Sequence, residues 1–167
     1  MTSEIYWINE AKIGEKRIGT MARPRGNDWL SDEIKGLKIR KVDCLVSLLE
    51  QSEIEELELN SEEELCEKWD IQFINFPILD FNTPKNEHEF LALAEALANK
   101  VEAGKRVVIH CRMGIGRSST LAAAILIKLG YEGANVFDVI GQYRKLKVPD
   151  TEEQKNWILS LEKKLKR

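Results

Sequence analysis

Nowhere in its 167 residues does the chain carry an apolar run long enough to cross a bilayer, so no membrane insertion is expected. Its first ten residues place an acid at Glu4 and lack the basic and apolar regions of a signal peptide, which sets the expected location as cytoplasmic. Cysteine is sparse: Cys44, Cys66 and Cys111 are odd in number and show no metal-type spacing. Charge of one sign is also lacking. The net charge of −3 predicts no general attraction to nucleic acid or to an acidic membrane. No repeat, low-complexity stretch or linker divides the chain, so residues 1–167 read as one domain with room for a full core.

What is there centres on Arg106 to Gly130. Val107, Val108 and Ile109 form a short, β-branched apolar run suited to a buried strand. Residues 110 to 117 form a tight loop containing Gly114 and Gly116, and Ser118 to Leu129 is apolar almost all round, as a buried helix would be. A strand, a glycine loop and a helix start make an anion site. The first helical turn leaves N–H groups without partners, and glycines let successive N–H groups turn inward around an oxyanion. Arg117 closes the loop with a fork that can grip two phosphate oxygens. Cys111 opens it among amide dipoles beside a guanidinium, a setting that favours the nucleophilic thiolate. Cys44 sits in an apolar run and reads as a core thiol, and Cys66 lies in an acidic helix, so only Cys111 has an electropositive setting.

The rest of the chain reads as alternating strands and helices. Residues 5–8 and 17–20 suit an opening hairpin with Gly14 in its turn, followed by a loop at 21–26 and a helix from Asn27 to about Leu37. Arg23 and Arg25 in that loop either reach the anion site or are solvated. Residues 42–49 and 71–76 read as strands, separated by two short acidic helices that begin in the capping boxes Ser52–Glu55 and Ser61–Glu64. Glu50, just past the first of those strands, either faces the site or is a surface acid. Asn86 caps a longer helix whose apolar face is Phe90, Leu93, Ala94, Leu97 and Val101. Two amphipathic helices at 134–147 and 152–165 close the chain. The predicted fold class is α/β, with a mostly parallel central sheet of four to five strands and helices on both faces.

The run His110-Cys111-Arg112-Met113-Gly114-Ile115-Gly116-Arg117-Ser118 resembles the H-C-x-x-G-x-G-R-S signature of the protein tyrosine phosphatase superfamily, most closely its compact dual-specificity branch. The resemblance spans roughly residues 70 to 160 and is weaker before them. It implies a thiolate at Cys111 that attacks phosphorus to form a cysteinyl-phosphate, with Arg117 and loop N–H groups from residues 112 to 116 holding the equatorial oxygens. It implies a carboxyl that protonates the leaving oxygen. Asp80, 31 residues before Cys111 (111 − 80) on a loop past a strand end, stands at the family's offset. It also implies a Ser118 hydroxyl that assists the thiolate, with a helix N-cap as the compatible plain reading, and a His110 that orients the loop from the core. Arg112 either adds charge at the mouth or forms a structural ion pair.

Residues 150–154 are similar to the glutamine-bearing loop that positions water in larger tyrosine phosphatases. Asp150 stands where those carry a first glutamine, and Thr151–Gln154 is equally a capping box, so Gln154 has two readings. The separate phosphotyrosine-clamping loop of the large enzymes is missing, which implies a more open cleft.

The expectation is a cysteine-dependent phosphatase of phosphate monoesters: phosphotyrosine, with phosphoserine and phosphothreonine admitted by an open cleft. No metal or cofactor is expected, because the loop and Arg117 supply the charge that metals supply elsewhere. The expected partner is a phosphorylated protein or a small phosphate ester. Three competing readings stand beside this: a phosphoinositide or other small-molecule phosphatase, a phosphate-binding module without turnover, and a sulfur-transfer domain. The last would give the Asp80 loop no purpose.

Overall fold

The computed structural model describes residues 2–167. Five strands form one sheet: β1 (Tyr6–Trp7), β2 (Ile18–Met21), β3 (Cys44–Ser47), β4 (Gln72–Asn75) and β5 (Val107–His110), in the spatial order β1-β2-β5-β3-β4. Only the β1–β2 hairpin is antiparallel. β5 runs parallel between β2 and β3, with His110 level with Met21 on one side and Ser47 on the other. The fold is therefore α/β, as its alternating apolar strands and amphipathic helices predict.

Side-chain alternation along the strands feeds two cores. Val107 and Ile109 point with Cys44 and Val46 into the larger one, made by α4 (Glu87–Glu102), α5 (Arg117–Lys128), α6 (Gly133–Arg144), α7 (Glu152–Ser160) and α8 (Glu162–Leu165). Val108 and Leu45 point into the smaller one, with α1 (Leu30–Ile39), α2 (Gln51–Glu56) and α3 (Glu62–Lys68). Residues 117 to 127 of α5 are all buried, which explains why this helix lacks a polar face. Each fully buried Leu, Ile or Val side chain contributes about 1.5–3 kcal/mol. No helix among the described residues is long and apolar enough to cross a membrane.

Several boundaries differ from the sequence reading. Asn27 does not cap a long helix. It adopts φ 51° in a short 3-10 turn (Asn27–Trp29), and α1 starts only at Leu30. The capping box expected at Ser52–Glu55 sits two residues earlier: Glu50 is the N-cap of α2, and its N–H donates to Glu53 Oε1 at 3.1 Å. The N-cap of α3 is Ser61 as expected, without a bond from its hydroxyl. Asn86 does cap α4, its side chain accepting from the Glu89 N–H at 2.9 Å. α6 stops at Arg144 because Lys145 is left-handed, and the terminal helix breaks at Leu161 into α7 and α8.

Candidate active site

Because β3, β4 and β5 are parallel, the segments leaving them emerge at one sheet edge, where α/β folds gather ligands. β3 delivers Glu50 and Glu53, β4 delivers the loop bearing Asp80, and β5 delivers Cys111. The loop from Cys111 to Gly116 turns tightly at Gly114, whose φ of +71° suits glycine. A Cβ there would lie 2.5 Å from the Met21 carbonyl carbon, so the main chain after β2 packs flush against the loop. At Gly116 a Cβ would strike the side chains of Asp150 and Gln154.

Cys111 is buried, and its Sγ accepts the Gly114 N–H at 3.3 Å. Arg117 starts α5 with its side chain 1% exposed. Its Nη1 and Nη2 donate to Glu53 Oε1 and Oε2 at 2.7 and 3.0 Å, a bidentate pair. Nη1 also donates to the Ile78 carbonyl at 2.8 Å, and Nη2 lies 3.0 Å from Asp80 Oδ1. Burial works against this charge, but the Glu53 bonds and the negative groups at Cys111, Glu53 and Asp80 hold the guanidinium above its ordinary value. One cation thus ties together segments that follow three strands. Asp80 Oδ1 also accepts the Phe81 N–H at 3.0 Å, and Asn82 Nδ2 bonds the Asp80 carbonyl at 2.8 Å.

The other predicted residues fall around this centre. His110 is fully buried: Nε2 meets Glu62 Oε2 at 2.6 Å and Nδ1 meets the Cys111 carbonyl at 3.2 Å. Burial opposes its protonation, but the Glu62 carboxylate and the Cys111 carbonyl raise it above its ordinary value. Ser118 is not an N-cap. Gly116 holds that position, and the buried Ser118 hydroxyl has no partner. Arg112 points away from the loop into an ion pair, donating to Glu53 at 3.3 Å and to Glu56 at 3.0 Å. Met113 is exposed and Ile115 half-buried.

Gln154 is buried and makes the Thr151 capping box. Its Nε2 reaches the Asn82 carbonyl at 3.3 Å, which anchors the Asp80 loop to α7. Glu50 caps α2 and makes no bond to Arg117; the acid that does from this segment is Glu53. Arg25 pairs with Glu33 at 3.4 Å, and its guanidinium lies 4.7 Å from the Trp29 ring centre.

Glu53, Glu62 and Asp150 were not singled out as site residues by their sequence setting. Glu53 and Glu62 occupy short acidic helices that read as solvated. Their one signal is burial, 8% and 2% exposed, which no acid reaches without a partner. Asp150 faces the Gly116 amide. Partial burial and the charge of Asp80 raise its carboxyl, against the pull of Arg117 and that amide.

Three relatives share the fold or part of the sequence of this chain. A kinase-associated phosphatase, solved with serine in place of its catalytic cysteine, superposes with a TM-score of 0.88 at 19% identity, over 99% of this chain and 97% of that one. Tk-PTP in its active form superposes at 0.75 with 25% identity, covering 95% and 96%. Tyrosine-protein phosphatase vhp-1 of Caenorhabditis elegans is 29% identical over 102 residues, which is 61% of this chain and 15% of that protein. The chain spans a quarter or less of the length of the curated relatives it matches. Residues 40–164 match the family model of the dual specificity phosphatase catalytic domain. They include β3 to β5, the loop, Arg117 and Asp80, and on that match the chain belongs to the dual-specificity phosphatase family.

Proposed function

We propose that the chain hydrolyses phosphate monoesters through a cysteinyl-phosphate, with phosphotyrosine, phosphoserine and phosphothreonine in proteins as substrates. The observation that carries this reading is the single guanidinium of Arg117, which lies 3.0 Å from the Asp80 carboxylate and begins the helix behind Cys111. This contact supports a reading in which nucleophile, oxyanion holder and acid act at one place.

Cys111 Sγ attacks phosphorus and the ester oxygen leaves. Arg117 and the loop N–H groups at 112–116 take the equatorial oxygens as charge moves onto them. Phosphate oxygens replace Asp80 on Arg117 Nη2; the freed Asp80 carboxylate takes up a proton from solvent and gives it to the leaving oxygen. In the second step Asp80 takes a proton from a water whose oxygen attacks phosphorus; the P–O bond forms as the P–S bond breaks, the thiolate leaves and inorganic phosphate is released. The Ser118 hydroxyl, buried and without a partner, donates to that sulfur in this reading. Gln154 positions the Asp80 loop through Asn82. Room for the residues around a phosphorylated side chain is offered by a cleft of about 650 Å³ beside the loop, walled by Ile115, Phe137, Leu146, Lys147, Asp150 and Lys155.

The test is turnover of p-nitrophenyl phosphate, then of a panel of phosphopeptides against inositol lipids and thiosulfate. Hydrolysis abolished by Cys111→Ser, with phosphopeptides preferred, is expected. Preference for inositol lipids would move the substrate to a small phosphate ester, and oxyanion binding without turnover would reduce the chain to a binding module.

A further inference from the structure

The N–H groups of the loop serve an oxyanion only if they face inward, and a trans peptide points its C=O opposite to its N–H. What holds the carbonyls outward therefore decides whether the site exists. Arg144, the last residue of α6, donates from Nη2 to the Met113 carbonyl and from Nε to the Gly114 carbonyl, each at 3.0 Å. Those carbonyls share their peptide planes with the N–H groups of Gly114 and Ile115. The Gly114 N–H does point inward, onto Cys111 Sγ at 3.3 Å. A third bond continues the pattern: the Arg23 N–H holds the Arg112 carbonyl at 3.1 Å, which aims the Met113 N–H inward.

Arg144 is itself held. Its guanidinium lies 4.1 Å from the centre of the Tyr6 ring in β1. The neighbouring Tyr143 hydroxyl bonds Glu10 Oε2 at 2.6 Å and the Asn9 carbonyl at 3.2 Å, locking α6 to the opening hairpin. Tyr6 and Arg23 precede residue 40, outside the family match. This part of the chain also reaches the loop through the packing of Met21 and Ala22 on Gly114.

We infer that Arg144 is a positioning residue: a two-pronged carbonyl clamp, seated on Tyr6, that keeps the anion-binding loop in its N–H-inward state. The inference rests on the proposed phosphate site but not on turnover. A guanidinium suits the role because its Nε and Nη2 donors are parallel and match two successive carbonyls, which a lysine ammonium cannot do. The added positive charge behind the loop also favours an oxyanion in front of it.

The experiment is calorimetric binding of tungstate to the wild-type chain, Arg144→Ala and Arg144→Lys, alongside kcat and KM for p-nitrophenyl phosphate. Tungstate affinity and kcat/KM are expected to fall together by about 10- to 100-fold in Arg144→Ala, the scale of a small misplacement of binding groups. Arg144→Lys should be intermediate, and added guanidinium should partly restore the Ala variant. Should the Ala variant fail to fold, the Lys variant, which keeps the stem and charge, decides the matter: wild-type tungstate affinity there overturns the clamp. Wild-type affinity in a folded Ala variant also overturns it, as does a loss confined to phosphopeptides, which would make Arg144 a substrate contact. Tungstate binding without hydrolysis of any ester would overturn the phosphatase reading alone, and the affinity ratios would still decide the clamp.

Discussion

Glu53 grips both terminal nitrogens of Arg117, at 2.7 and 3.0 Å, across 64 residues of sequence. That fork-to-fork pair fixes the plane of the guanidinium before any substrate arrives. Glu53→Gln keeps the shape but removes the charge and one acceptor, so Arg117 is free to rotate. The expected result is a fall in kcat/KM for p-nitrophenyl phosphate of about 100-fold, with a loss of vanadate affinity to match. Unchanged vanadate inhibition would show that Arg117 needs no such support. Burial works to raise the Glu53 carboxyl, but the Arg117 bonds and the Glu50 N–H hold it below its ordinary 4.5. A lowered folded value means its contribution is present above pH 4.5 and lost as pH falls through the folded value. The Gln variant should therefore lose stability less steeply on acidification.

This pair also marks where the sequence stops being legible. The Cys111–Arg117 loop could be read because everything that makes it is local: an apolar strand, two glycines and an apolar helix within 25 residues (106 to 130). The sheet was legible for the same reason, from short apolar runs and the amphipathic helices between them. Glu53 and Glu62 were not legible as partners of Arg117 and His110, because their helices are short, acidic and separated from them by 64 and 48 residues. The slipped capping box has a similar cause. Ser52–Glu55 fits the usual capping pattern, whereas the observed box starts at Glu50, a residue read as a site-facing or surface acid, and places Glu53 where Arg117 bonds it. At Asn27 a residue that commonly caps was read as doing so, but the chain turns there at positive φ.

The second buried pair predicts the opposite response to pH. His110 lies above its ordinary 6.5, with burial outweighed by Glu62. A raised folded value gives stability that is complete below pH 6.5 and lost as pH rises through the folded value. Urea midpoints measured from pH 6 upward should fall for the wild-type chain and run flatter for Glu62→Gln. Removing the charge is expected to cost about 1–3 kcal/mol below pH 6.5. A pH response shared equally by wild type and variant would mean that another group is responsible.

Asp80→Asn separates proton donation from everything else the loop does. It should lower kcat by about a hundredfold or more for phosphotyrosine peptides, whose leaving oxygen is basic. The loss should be smaller for aryl phosphates with acidic phenols, which leave without help. A uniform loss across leaving groups would assign Asp80 to holding Arg117, which it contacts at 3.0 Å, rather than to proton transfer.

The three thiols should differ in reactivity. Burial pushes the Cys44 thiol up to about 11, and burial with the nearby Glu62 charge pushes Cys66 up as well. Iodoacetamide at neutral pH is therefore expected to modify one thiol in the native protein, Cys111, and vanadate should block that modification. Peptide mapping checks this. Labelling of Cys44 or Cys66 at a comparable rate would show that the core opens faster than the loop reacts.

Asp150 supplies the last test, because its sign is unusual for a carboxylate. Partial burial and the charge of Asp80 hold it above its ordinary 3.8, against Arg117 and the Gly116 amide. A carboxyl raised in the folded state contributes favourably only below pH 3.8, and that contribution is lost as pH rises through the folded value. At neutrality Asp150 thus opposes folding, while its neutral amide isostere would keep an acceptor for Gly116 and remove the repulsion from Asp80. Asp150→Asn is expected to raise the thermal midpoint at pH 7, with the gain shrinking as pH falls through the folded value and gone below 3.8. A variant less stable than wild type at pH 7 would show that the carboxylate charge is needed beside Arg117, which would make Asp150 a working part of the site rather than a strained neighbour of it.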